Sequence, residues 1–120
     1  MSDTTDTTTP PLPPTRILSP YGYNEACDVE DETYLCEIED AICNGRILSS
    51  LTGGERNRGG GRQQEVSVTR FRDPRTSEVR CAVEVWNDGR NGRYDYADRT
   101  VASEQAGEWS RLINLRPTGR

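Results

Sequence analysis

An α+β fold is what this sequence predicts: one acidic amphipathic helix packed on a small antiparallel β-meander, with a disordered or extended N-terminal arm. Three observations carry the prediction. Apolar residues recur at three- and four-residue steps between 29 and 44. From Val66 to Tyr96 the period drops to two, interrupted by turn-forming residues. The first fifteen residues carry almost no apolar side chain.

That opening stretch, residues 1–15, is Thr, Pro, Asp and Ser, with nothing to offset a chain-ordering cost of about 1–2 kcal/mol per residue. Its Pro10-Pro11-Leu12-Pro13-Pro14 run favours polyproline II, the shape of arms that dock in grooves on other proteins. The plain alternative is a solvated tail. Residues 16–24 follow as an extended segment turning at Pro20 and Gly22.

The helix is expected over 29–44. Asp28 or Asp31 caps it, acidic residues crowd its first turn, and Asn44-Gly45 stops it. Tyr34, Leu35, Ile38, Ala41 and Ile42 form its apolar stripe, with Glu30, Glu37 and Asp40 on the other side. Arg46–Leu51 reads as a short strand or a final helical turn. The Gly/Arg-rich 52–64 lacks periodicity and reads as a flexible loop.

Val66, Val68 and Phe71 begin the meander, and Asp73-Pro74-Arg75 turns it. Val79, Cys81, Val83 and Val85 give the cleanest alternation in the chain. Residues 87–92 (Asn-Asp-Gly-Arg-Asn-Gly) are turn chemistry, and 93–97 return with Tyr94 and Tyr96 in register. Residues 102–113 form a short closing helix with Trp109, Leu112 and Ile113 inward. The expected organisation is an arm at 1–15, one small domain at 16–117 and a tail at 118–120.

Composition narrows the chemistry. All fifteen basic residues are arginine, and histidine is absent. No His-based nucleophile pair, His metal ligand, lysine Schiff base or P-loop lysine is possible. The apolar fraction is 32%, below the roughly 45–50% of ordinary globular chains, so the core must be small. Residues 1–45 hold ten acidic groups and one arginine, Arg16; residues 46–120 hold fourteen arginines and ten acids. Such a chain either folds its acidic part against its basic part or offers two faces to different partners. There is no signal-peptide pattern and no apolar run of membrane-spanning length, so a cytoplasmic setting and no membrane partner are expected. There, cysteines stay reduced.

Each candidate site has a plain counterpart. Cys27, Cys36, Cys43 and Cys81 contain no Cys-x-x-Cys pair. On a helix, residues 36 and 43 lie about 10 Å apart along the axis, too far to share a zinc. Packing thiols are expected, and no metal or cofactor. The acidic run from Glu25 to Asp40 lacks the order of a calcium loop; it reads as a solvated, helix-capping face. Arg56, Arg58 and Arg62 among glycines resemble a nucleic-acid-binding tract, although a pI near 4.8 opposes a dedicated nucleic-acid binder. Trp86 falls opposite the valine face of its strand. With Arg80 and Arg93 it makes a candidate protein-binding surface, since Trp and Arg are favoured interface anchors.

The function expected is therefore non-enzymatic. It is a protein–protein interaction or assembly component, such as an accessory protein of a phage-like particle or other larger complex. It docks through Pro11, Leu12 and Pro13 of the arm and through the Trp86/Arg80/Arg93 surface. The alternative is a nucleic-acid-related regulator, acting through Arg56, Arg58 and Arg62 or by acidic mimicry of DNA.

Overall fold

The computed structural model describes residues 16–21, 26–56 and 62–116, with the side chains of Glu55, Arg56 and Arg62 outside that description. The predicted arm, with Pro11, Leu12 and Pro13, lies outside the described residues, as do Arg58 and the tail. The described chain runs β1 (Arg16–Ser19), α1 (Glu32–Cys43), β2 (Arg46–Arg56), β3 (Arg62–Arg72), β4 (Val79–Asn87), β5 (Arg90–Tyr96) and α2 (Arg99–Leu112). All five strands form one antiparallel sheet in the order β1-β5-β4-β3-β2.

The α+β reading holds, and the pleat decides how the layers stack. Successive strand residues point to opposite faces. Val66 and Val68 of β3, Cys81, Val83 and Val85 of β4, and Tyr94 and Tyr96 of β5 pack beneath Ala102, Ala106 and Trp109 of α2. Phe71, Ala82 and Leu18 belong to a separate cluster with Ile38 and Ile42 of α1. The two helices therefore cover opposite faces of the sheet. Trp109 centres the larger core, stacked on Tyr94 (5.3 Å, 21°) and edge-on to Tyr21 (5.3 Å, 69°).

Several element bounds differ from those predicted. Helix α1 begins at Glu32 rather than 29, because Asp31 is the cap: its carboxylate accepts from the Thr33 and Tyr34 amides. Val29 is instead held extended in the α1 core. The segment after Gly45 is strand, not a helical turn, and the predicted loop over 52–64 is mostly strand as well. Gly53 serves close packing. A Cβ on Gly53 would sit 2.6 Å from the Arg116 carbonyl oxygen, and the Gly54 amide donates to that same oxygen at 2.9 Å. The predicted six-residue turn at 87–92 contracts to Asp88-Gly89, both with positive φ (49° and 95°). That is the two-residue hairpin form matching strand twist, with Asn87 and Arg90 paired across it. Helix α2 starts earlier than predicted, at Arg99, where Asp98 accepts from the Thr100 amide.

Part of the charge asymmetry is met within the fold. Arg75, in the β3–β4 turn, reaches Asp31 (3.2 Å) and Glu37 (2.9 Å) of the acidic half and lies 4.5 Å over the Tyr34 ring. In return Arg16, the one basic residue of the acidic half, pairs with Asp95 (2.6 Å) and Asp73 (3.0 Å) of the basic half.

Candidate functional site

Helix α1 covers only part of its sheet face. It lies over Phe71 and Ala82 and ends at Cys43, where Asn44 and Gly45 turn the chain into β2. Gly45 is required at that corner: a Cβ there would meet the Arg70 carbonyl oxygen at 2.4 Å. Beyond the corner the sheet face forms an open groove of about 400 Å³ between Ile42, Cys43 and Ile47 on one side and Trp86 on the other.

Strand register builds its floor. Glu65, Ser67 and Thr69 share one side of β3, and Glu84 and Trp86 share that side of β4. Glu65 is directly opposite Trp86, Ser67 opposite Glu84, and Glu84 opposite Arg93. The Trp86 indole is 42% exposed. Ser67 and Thr69, more than nine-tenths buried, line the floor. The Ser50 hydroxyl donates to Glu65 Oε2 at 2.9 Å. Arg93 is committed: its Nε and Nη2 donate to Glu84 Oε2 (2.8 and 2.7 Å) and its Nη1 lies 3.3 Å from Glu39.

The predicted surface is thus partly assembled. Trp86 and Arg93 line one groove. Arg80 does not join them: although its position faces the same side, it is buried, with Nε 2.8 Å from both oxygens of Asp95. An arginine can stay buried there only because a carboxylate is buried with it. Arg56 and Arg62 are backbone partners closing the β2–β3 hairpin. Sequence reading missed Glu65, Ser67, Thr69 and Glu84. The signal was present in the polar phase of the two alternating strands, where residues 65, 67, 69, 84 and 86 fall on one face.

The ion network under α1 borders the site without entering it. Tyr34 donates to Asp73 Oδ2 at 2.6 Å and Arg16 at 3.0 Å, while the Arg75 and Thr76 amides donate to Oδ1 (2.8 and 2.9 Å). Burial pushes the Asp73 carboxyl up, but these donors outweigh it and hold it well below the usual carboxylate range.

The four cysteines are free thiols. Cys36 and Cys43 are exposed on α1, Cys27 is half-buried and Cys81 is buried. Cys27 Sγ lies 3.2 Å from the Leu18 carbonyl oxygen, and burial pushes the Cys81 thiol up. Among the described residues no group of three or more His, Cys, Asp or Glu side chains is placed to hold a metal ion. No described helix is long and apolar enough to cross a membrane. Compared with known proteins, the chain matches no family model, no curated protein and no solved structure.

Proposed function

We propose that this chain is a non-enzymatic protein-binding module, a component of a larger assembly that docks through the groove beside Trp86. The observation carrying the proposal is the exposed Trp86 indole at the mouth of a groove built on paired strands. Its backbone is fixed by β4's pairing with both β3 and β5. An exposed aromatic on a rigid strand adds contact area at small entropic cost, which is why Trp is enriched among interface hot spots. The Thr/Pro arm supplies a second, extended contact to the same assembly.

The test is purification of the tagged full chain from its own source, beside Trp86→Ala and a variant lacking residues 1–15, followed by native mass spectrometry. A partner at fixed stoichiometry with the parent chain, lost with Trp86→Ala, supports the reading. A partner retained at full stoichiometry by Trp86→Ala ends the groove's role.

A further inference from the structure

We propose that the groove receives a cationic side chain, an arginine carried on an extended segment of the partner protein. This inference rests on the reading of the groove as the docking face and adds the chemistry of what enters it.

Four features around the groove favour positive charge. First, Glu65 and Trp86 are direct cross-strand neighbours, a pairing that sets Cβ atoms about 4.5–5.5 Å apart. A guanidinium laid flat on the indole face then has a carboxylate within reach of its edge, combining cation–π attraction with forked hydrogen bonding. Second, Glu84 adds a second carboxylate, of which only Oε2 is engaged by Arg93. Third, helix α1 ends at the rim with no basic residue in its last turn. Asn44 Nδ2 donates to the Asp40 carbonyl, but no cationic side chain of the helix opposes the partial negative charge of its carbonyl end. Fourth, Ser67 and Thr69 line the floor, and their hydroxyl oxygens can accept from N–H groups. Arg93 does not cancel this field, because Glu84 and Glu39 hold it between them.

Arginine fits better than a compact ammonium. It is planar, stacks on aromatic rings and presents several donors in one plane. Strand-like delivery suits the site, since the groove runs across an open sheet face rather than into a closed cavity.

The experiment is an NMR titration of the isotope-labelled full chain with the capped tripeptide Gly-Arg-Gly, and with the same peptide carrying citrulline, the uncharged isostere. The expected result is saturable shifts in the millimolar range at the Trp86 indole N–H and at the Ser67 and Thr69 amides. Citrulline should bind about tenfold or more weakly. Glu65→Gln, an isosteric change at an exposed side chain, should lose about tenfold for the arginine peptide. Equal binding of the two peptides, unchanged affinity in Glu65→Gln, or no response to either peptide overturns the proposal. Those outcomes are separable from failure of the docking reading. If Trp86→Ala abolishes partner capture while the peptides bind alike, docking stands and the cation does not.

Discussion

Arg80 and Asp95 face each other inside the sheet, with Arg80 Nε 2.8 Å from both carboxylate oxygens and Asp95 fully buried. Arg16 approaches the same carboxylate from β1 at 2.6 Å. Asp95 is thus shared by two arginines on strands that flank β5. Removing one member of such a group leaves buried charge without compensation. Asp95→Ala is expected to cost about 3–5 kcal/mol, read as a lowered urea midpoint or the loss of a cooperative transition. A midpoint within about 0.5 kcal/mol of the parent, the range of ordinary surface changes, would contradict this account.

Asp73 contributes to the acid limb of stability. Its folded pKa is depressed below its ordinary value. Its stabilisation is therefore complete above the unfolded-state pKa of about 3.9 and is lost as pH falls from there towards the folded-state value. Urea midpoints should show this contribution constant from neutral pH to about pH 5 and declining below about pH 4. Asp73→Asn should flatten the acid limb of that curve. An equally steep limb in Asp73→Asn would assign it to other carboxylates.

Tyr96 carries a buried hydroxyl with no hydrogen-bond partner among the described residues, and burial holds its pKa above the ordinary value. A buried donor left unmade costs about 1–3 kcal/mol. Tyr96→Phe is accordingly expected to match or exceed the parent in thermal stability. A clear drop in melting temperature would mean that the hydroxyl has a partner.

The two tryptophans should separate stability from binding. Trp109→Ala opens the centre of the larger core and is expected to cost about 3–5 kcal/mol. Trp86→Ala, at a half-exposed site, should cost about 0.5 kcal/mol or less while removing partner capture. Denaturant curves on both variants check the contrast.

Thiol labelling under native conditions should be graded. Cys36 and Cys43 should react first, Cys27 more slowly, and Cys81 only on opening of the fold. Four fast thiols would contradict the burial of Cys81 against α2.

The elements that sequence revealed best are those whose periodicity comes from burial on one side. The stripe of α1 and the Val79–Val85 alternation are of this kind, although Val79 at the strand start is itself exposed. Strand β2 was read only as one of two alternatives over Arg46–Leu51 and as a loop beyond, because it is an edge: Ile47 and Leu51 are 65% and 50% exposed, so no apolar phase marks it, and its Gly53-Gly54 imitates a loop. The groove was half legible. Trp86 was assigned to the correct face from one step of alternation. Arg80 was misplaced because alternation assigns a face but not whether a charged side chain there is buried on a carboxylate from a neighbouring strand, as Arg80 is on Asp95. Glu65, Ser67 and Thr69 gain meaning only through register with β4, which no local pattern encodes.

The order of strands also bears on how the chain is made. Arg16 of β1, an early part of the chain, pairs with Asp95, 79 positions later, and the inner face of α1 waits for Phe71 and Ala82. During synthesis the N-terminal third therefore emerges well before the sheet strands it packs against, a situation in which exposed strands and apolar stripes normally aggregate. Ten carboxylates against a single arginine within the first 45 residues make that waiting segment self-repelling. Three of those charges, on Asp31, Glu37 and Glu39, later meet Arg75 and Arg93, so the groups that repel in the separate segment become attachments in the folded chain.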